Sequence, residues 1–168
     1  MYRGDIIEID DTVVGKKRKL ITGCGSLHCS AWFDPVSGDL VETFFTKGSQ
    51  GGCINFMTGL SRIVSLAARG GIDIKSIINQ LNSCGTCPSY AVRTATKHDT
   101  SKGSCCPIAI GNALLDMYEE MMEEITASED YYEDEVFDSG ESCPECGESI
   151  IFEGGCNTCK SCGWSKCS

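Results

Sequence analysis

The spacing of six cysteines in the last 26 residues constrains the fold of this 168-residue chain more than any other feature. Two residues separate Cys143 from Cys146 and Cys159 from Cys162, and a glycine follows each pair. Glycine permits the tight turn that lets two sulfur atoms face one metal, and a structural zinc site takes four thiolates. We therefore predict that these four cysteines bind one zinc ion in a ribbon spanning residues 142–168.

Four ligands leave Cys156 and Cys167 unassigned, and two interpretations of these cysteines stay open. In the first, they are spare thiols or alternative ligands in a ribbon of different register. In the second, they form a mobile dithiol that exchanges with a disulfide elsewhere. Exchange requires an accessible thiolate on a flexible support. The position of Cys167 one residue from the end of the chain, beside Lys166, meets that requirement.

Cysteine usage also bears on the cellular compartment. No segment is long and apolar enough to span a bilayer, and residues 1–19 lack the apolar core of a signal peptide. We therefore expect a cytoplasmic protein with no membrane partner. In that reducing compartment, 13 cysteines favour metal binding or redox chemistry over a disulfide framework.

The net charge of -10 arises from one part of the chain. Residues 119–141 carry eleven Asp or Glu and no Lys or Arg. Like charges at that density favour an extended, solvated segment, and residues 126–141 show no helical periodicity. The predicted organisation is a body at 1–125, an acidic linker at 126–141 and the ribbon at 142–168.

Hydrophobic periodicity in the body predicts an α+β fold, with a small antiparallel sheet and about three helices. The predicted strands cover residues 20–24, 27–33 and 40–46, and the helices cover residues 56–67, 74–81 and 107–125. Asp73 is suited to cap the second helix and Pro107 to the first turn of the third. The segment 82–104 between those two helices is predicted to be irregular.

Nucleic acid binding is not expected. The basic cluster 16–19 suits either a nucleic acid contact or a solvated strand entry beside Asp10 and Asp11, and we favour the second. The ribbon offers only Lys160 and Lys166 as bases.

The body resembles the TSCPD domain, a small cysteine-containing domain near the C-terminus of adenosylcobalamin-dependent ribonucleotide reductases that also occurs in short stand-alone proteins. The segments that carry the resemblance are Thr22-Gly23-Cys24-Gly25, Gly51-Gly52-Cys53, Cys87-Pro88-Ser89 and Ser104-Cys105-Cys106-Pro107-Ile108-Ala109-Ile110. The tail, residues 143–167, is similar to the ribbon that ends those reductases. The chain departs from the family name at Ile108, where the name has Asp, and at Cys105, where it has Ser; Cys84 is an additional cysteine.

The resemblance implies a redox and assembly module of a vitamin B12-dependent ribonucleoside-diphosphate reductase, acting in deoxyribonucleotide synthesis for DNA replication. The catalytic barrel and cobalamin site of such an enzyme do not fit into 168 residues. Adenosylcobalamin would therefore act only through a separate large reductase subunit, and the chain alone is not expected to be an enzyme. In the family scheme a C-terminal cysteine pair reduces the active-site disulfide and is recharged by a thioredoxin-like reductant. Cys156 or Cys162 with Cys167 are the positions for that pair.

Two further function classes stay open. One is a non-catalytic zinc or iron-sulfur module with a regulatory or interaction role, and the other is an iron-sulfur or metal carrier that uses the body cysteines. The candidate second site consists of Cys24, Cys53, Cys87 and Cys106, which we predict to meet near the N-terminus of the last helix. The helix dipole there favours a thiolate, whereas four simply packed thiols are the alternative.

Overall fold

The structure is a computed structural model that describes residues 5–48, 53–133, 138–153 and 155–167. The backbone alone is described for residues 129–133, 138–141, 152, 153 and 167. The chain divides into two compact units, 1–125 and 126–168. In the described ranges, no helix has both the length and the apolar character needed to cross a membrane.

A three-stranded antiparallel sheet begins the first unit, as predicted. Its strands are β1 (Val14–Thr22), β2 (Gly25–Phe33) and β3 (Leu40–Lys47), paired in that order. Alternate residues of β2 enter the core and are fully buried, namely Leu27, Cys29, Ala31 and Phe33. The carboxylate of Asp34 accepts hydrogen bonds from the backbone N–H groups of Val36 and Ser37, which turns the chain from β2 towards β3.

Four helices follow the sheet in the part of the chain that the structure describes, one more than the sequence predicts. They are α1 (Ile54–Arg69), α2 (Ile74–Asn82), α3 (Pro88–Lys97) and α4 (Cys106–Glu133). The side chain of Asp73 accepts a hydrogen bond from the N–H of Ser76, so the predicted cap of α2 is confirmed. The prediction that residues 82–104 are irregular is wrong at α3. Because α3 buries only Tyr90, its apolar periodicity is too weak to detect.

Helix α4 also runs farther than expected. It continues through residues 126–133, where the sequence predicts an extended acidic linker. These eight residues contain neither glycine nor proline, and extending an existing helix carries no nucleation cost. The extended interpretation is therefore wrong for residues 126–133, and residues 138–141 belong to a strand of the second unit.

Ion pairs join β1 to α4. Lys16 Nζ lies 2.6 Å from the Glu124 carboxylate, and the guanidinium of Arg18 pairs with Glu120. The basic cluster 16–19 is thus part of a strand, and two of its four cations already contact carboxylates of α4.

Two serines of helix α1 form hydrogen bonds with the backbone N–H and C=O groups on the free edge of β3. Ser61 Oγ donates to the carbonyl oxygen of Thr43 at 2.6 Å and accepts from the N–H of Phe45 at 3.2 Å. Ser65 Oγ accepts from the N–H of Thr43 at 2.9 Å. Since β3 is the outer strand, these bonds replace those of a missing fourth strand.

The second unit contains a four-stranded antiparallel sheet. Its strands are β4 (Asp138–Ser142), β5 (Ser149–Glu153), β6 (Cys156–Thr158) and β7 (Ser165–Cys167), paired in chain order. The buried residues Cys143, Ile150 and Cys159 form its core, against which Trp164 packs. Two of these three core residues are predicted metal ligands.

Replacing Ser61 should destabilise the body. Ser61→Ala leaves the buried N–H of Phe45 without its partner and removes the shorter of two hydrogen bonds to the Thr43 carbonyl, which costs about 1–3 kcal/mol. We expect a lower urea midpoint by circular dichroism. Thr58→Ala, on the exposed side of the same helix, serves as the control and should change stability by less than about 0.5 kcal/mol. Equal midpoints for the two variants would contradict the edge-capping role.

Candidate metal centre

Two similar turns present the cysteines of the second unit. In the first, the N–H of Gly147 donates to the carbonyl of Cys143 at 2.8 Å, and the N–H of Cys143 donates to the carbonyl of Glu148 at 2.7 Å. Gly147 has φ 80, a left-handed conformation that glycine adopts without strain. The bonds close a tight turn with Cys143 and Cys146 on its rim.

The second turn repeats the first. The N–H of Gly163 donates to the carbonyl of Cys159 at 2.9 Å, and the N–H of Cys159 donates to the carbonyl of Trp164 at 2.7 Å. Gly163 has φ 78, close to the value at its counterpart. Both turns therefore present a pair of cysteines with the same backbone geometry.

The four sulfur atoms come together as the spacing predicts. The Sγ atoms of Cys143, Cys146, Cys159 and Cys162 all lie within 4.8 Å of one another. The separations across the two turns are 3.6 Å from Cys143 to Cys162 and 3.5 Å from Cys146 to Cys159. Tetrahedral zinc with bonds of about 2.3 Å separates its sulfur ligands by about 3.8 Å. The cluster therefore fits a metal such as zinc.

The thiols of this cluster differ in burial and in proton affinity. Cys143 and Cys159 are buried, whereas Cys146 and Cys162 are exposed. The backbone N–H of Cys162 lowers the pKa of Cys159 to about 7. The pKa of Cys146 rises to about 12: the N–H of Glu148 lowers it, but the bond to the Cys159 sulfur and desolvation outweigh that effect. A bound cation would displace the thiol protons, and its bonds to the four sulfurs would take the place of the hydrogen bonds between them.

Cys156 is separate from this cluster. It is disulfide-bonded, and the four-sulfur group does not include it. Its backbone partner across the β6–β7 ladder is Cys167. The redox role that the sequence assigns to Cys156 and Cys167 stays a prediction.

The body cysteines are free thiols, and several lie close together. Electrostatic interactions link Cys106 with Cys24 and Cys87, three members of the predicted second site. The fourth member, Cys53, is exposed and precedes α1. Burial raises the pKa of Cys106.

Two further cysteines, Cys84 and Cys105, were not included in the predicted second site. Cys105 interacts electrostatically with Cys84 and Cys87, and burial raises the pKa of the Cys105 thiol. The two-residue spacing of Cys84 and Cys87, the same as in the tail turns, was the signal available in the sequence.

A comparison with known protein families gives a match over most of the first unit. The model of a family described as the TSCPD domain matches residues 2–118. The match ends before the four-sulfur cluster, which begins at Cys143. No curated protein and no solved structure matches the chain.

Changing tail cysteines should separate metal ligands from spare thiols. A Cys159→Ser, Cys162→Ser double variant should lose its zinc, and the second unit should unfold because metal binding supplies the folding free energy of so small a unit. Metal analysis and proton NMR measure the two effects. A Cys156→Ser, Cys167→Ser double variant is the matched control and should keep one zinc per chain. Full zinc retention in the first variant would rule out the assignment.

Zinc affinity should fall as the pH falls. Each thiol has to lose its proton before it binds the metal, and Cys146 with its raised pKa holds its proton most firmly. Displacement of more than one proton per zinc means that the affinity changes by more than about tenfold per pH unit between about pH 8 and pH 6. Competition with a chromogenic chelator measures this. An affinity that does not change with pH would contradict thiolate ligation.

Proposed function

Since the chain belongs to the TSCPD domain family, we propose that it is a redox and assembly module of a vitamin B12-dependent ribonucleotide reductase. In this proposal it acts in deoxyribonucleotide synthesis but is not catalytic alone. A separate large subunit would hold adenosylcobalamin and the nucleotide. The domain match supports the link to ribonucleotide reductases, and the cysteine-rich tail supports the redox role.

The observation that carries the proposal is the division of the tail cysteines into two sets. Four sulfurs form a complete site for one metal, so a structural zinc has no need of Cys156. Cys156 is instead disulfide-bonded and lies opposite Cys167 in the strand ladder. A tail with a metal-held scaffold and a separate cysteine pair suits thiol-disulfide exchange.

In the proposed reaction the reduced pair Cys156 and Cys167 transfers two electrons to a disulfide of the large subunit. One tail thiolate attacks that disulfide, which forms a mixed disulfide and releases one partner sulfur as a thiol after protonation. The other tail thiolate then attacks the mixed disulfide, closing a tail disulfide and releasing the second partner thiol. A thioredoxin-like dithiol restores the tail by the same two steps and becomes oxidised itself.

The metal has a structural part in this proposal. Zinc bound by Cys143, Cys146, Cys159 and Cys162 has no redox chemistry of its own and supplies folding free energy. The glycine turns and the ligands would hold β6 and β7 together, so that Cys156 and Cys167 stay opposite each other in both redox states. Lys166, the residue before Cys167, would favour the thiolate at Cys167.

A non-catalytic metal-binding module is the second candidate. The completeness of the four-sulfur site without Cys156 favours it, because the tail could then serve only as a zinc-stabilised interaction unit. The two candidates differ in whether the cysteine pair is needed for turnover of a reductase.

Replacing Cys167 should block turnover that depends on thioredoxin and leave turnover driven by a small dithiol intact. In a reductase reconstituted with the large subunit that copurifies from native cells, Cys167→Ser should reduce thioredoxin-dependent turnover by at least about a hundredfold, since exchange needs both thiols. Turnover driven by a small dithiol that reaches the active site directly should survive. Ser165→Ala in the same strand is the control and should keep both activities.

Two outcomes would count against the redox proposal. Equal thioredoxin-dependent rates for Cys167→Ser and the wild type would leave the tail as a structural ribbon. Failure of any large reductase chain to copurify would remove the assembly role and favour the second candidate.

A further inference from the structure

Five free thiols of the body gather where the β1–β2 turn meets the starts of α3 and α4. We call this set the body thiol cluster; its members are Cys24, Cys84, Cys87, Cys105 and Cys106. They come from three separate segments of the chain. The tail metal centre uses none of them.

Close backbone packing brings these segments together. A Cβ atom on Gly23 would lie 2.4 Å from the backbone of Ser89 and Tyr90, so only glycine lets the β1–β2 turn approach the first turn of α3. The N–H of Cys87 donates to the carbonyl of Ser104 at 2.9 Å, which ties the start of α3 to the segment before α4. The cluster is therefore positioned by the fold itself.

Cys87 lies at the centre of the cluster. Cys105 interacts electrostatically with Cys84 and Cys87, and Cys106 interacts with Cys24 and Cys87. The two groups share Cys87, which is the N-cap residue of α3 and is partly buried.

Groups of positive character lie beside the cluster, although burial still raises the pKa of Cys105 and Cys106. Cys87 is the N-cap residue of α3 and Cys106 is the first residue of α4, so both lie at helix N-termini, where the helix dipole is positive. Lys47 adds a full positive charge near Cys106. Thiolates bound to metal would be stabilised here.

The spacing of the thiols differs from that in the tail. Among the residues that the structure describes, only the tail cysteines bring three or more metal-binding groups within 4.8 Å of one another. No three of the body thiols meet that criterion, although electrostatic interactions link them in pairs. A polynuclear iron-sulfur centre separates its cysteine ligands more widely than a single ion does, because several irons lie between them.

We propose that the body thiol cluster binds an iron-sulfur centre, with Cys87 as an indispensable ligand. Iron and sulfide are soft partners for thiolates, and five available cysteines exceed the four that such a centre needs. This inference does not rest on the redox and assembly role of the tail. It replaces Cys53 of the sequence-predicted second site with Cys84 and Cys105.

The test uses the full chain with zinc already bound to the tail. Incubation with ferric iron, sulfide and a small dithiol without oxygen should load about four irons and four sulfides per chain, the dithiol reducing about half of the iron to the ferrous state and becoming oxidised to its disulfide. Iron and sulfide assays, sulfur-to-iron charge-transfer absorbance and electron paramagnetic resonance after reduction provide the readouts.

Two matched variants decide the ligand assignment. Cys87→Ser should lower bound iron at least tenfold, and it should fold because serine is a favoured N-cap residue. Cys53→Ser is the control, since Cys53 is likewise an N-cap cysteine without a side-chain capping bond, and it should keep all its iron. Circular dichroism checks that both variants are folded.

Other results would overturn the inference. These are a wild-type chain that takes up no sulfide-dependent iron, a folded Cys87→Ser variant that retains it, or loss of iron in Cys53→Ser. A second zinc bound through the body cysteines in place of iron would also overturn it.

Discussion

The C-terminal unit depends on four sulfur atoms held within 4.8 Å of one another. Among the side chains of this unit that the structure describes, its buried core consists of Cys143, Ile150 and Cys159, with Trp164 packed against them. So small an apolar core cannot offset the entropy of ordering four strands, and units of this size rely on a metal or another cross-link. The four candidate metal ligands therefore also lie at the centre of this unit's fold.

The body unit is stabilised differently from the C-terminal unit. Its stability comes from a continuous apolar core between the sheet and the helices. Cys29 belongs to that core, where burial raises the pKa of its thiol to about 12 and keeps it unreactive. The other body cysteines are not members of that buried cluster, although Cys87 and Cys106 pack against it.

The two units together suggest how one chain can combine different cysteine functions. In the tail, a closed set of four thiols leaves Cys156 and Cys167 for exchange, as proposed above. In the body, a glycine contact and a hydrogen bond between Cys87 and Ser104 bring together the segments that carry five thiols. Ligand number and spacing, more than cysteine content, separate a structural zinc site from a redox pair and from a larger metal centre.

The sequence by itself determined the features that depend on local spacing. Two turns with cysteines three residues apart and a glycine after each predict the tail ligands, since the turn geometry is set within five residues. Alternation and helical periodicity predict the α+β class, and Asp73 marks the start of α2. The segments that resemble the TSCPD domain identify the family that the match over residues 2–118 confirms.

Tertiary structure decided what local patterns do not encode. Helix α3 buries one side chain and so lacks a detectable period, and α4 extends through acidic residues because helix propagation needs no new nucleus. The grouping of Cys105 with Cys87 depends on the hydrogen bond from the Cys87 N–H to the Ser104 carbonyl. That of Cys24 depends on the approach of Gly23 to the backbone of α3, a contact between residues more than sixty positions apart. Packing between distant segments of the chain decides which cysteines become neighbours. The spacing of cysteines along the sequence does not predict these contacts.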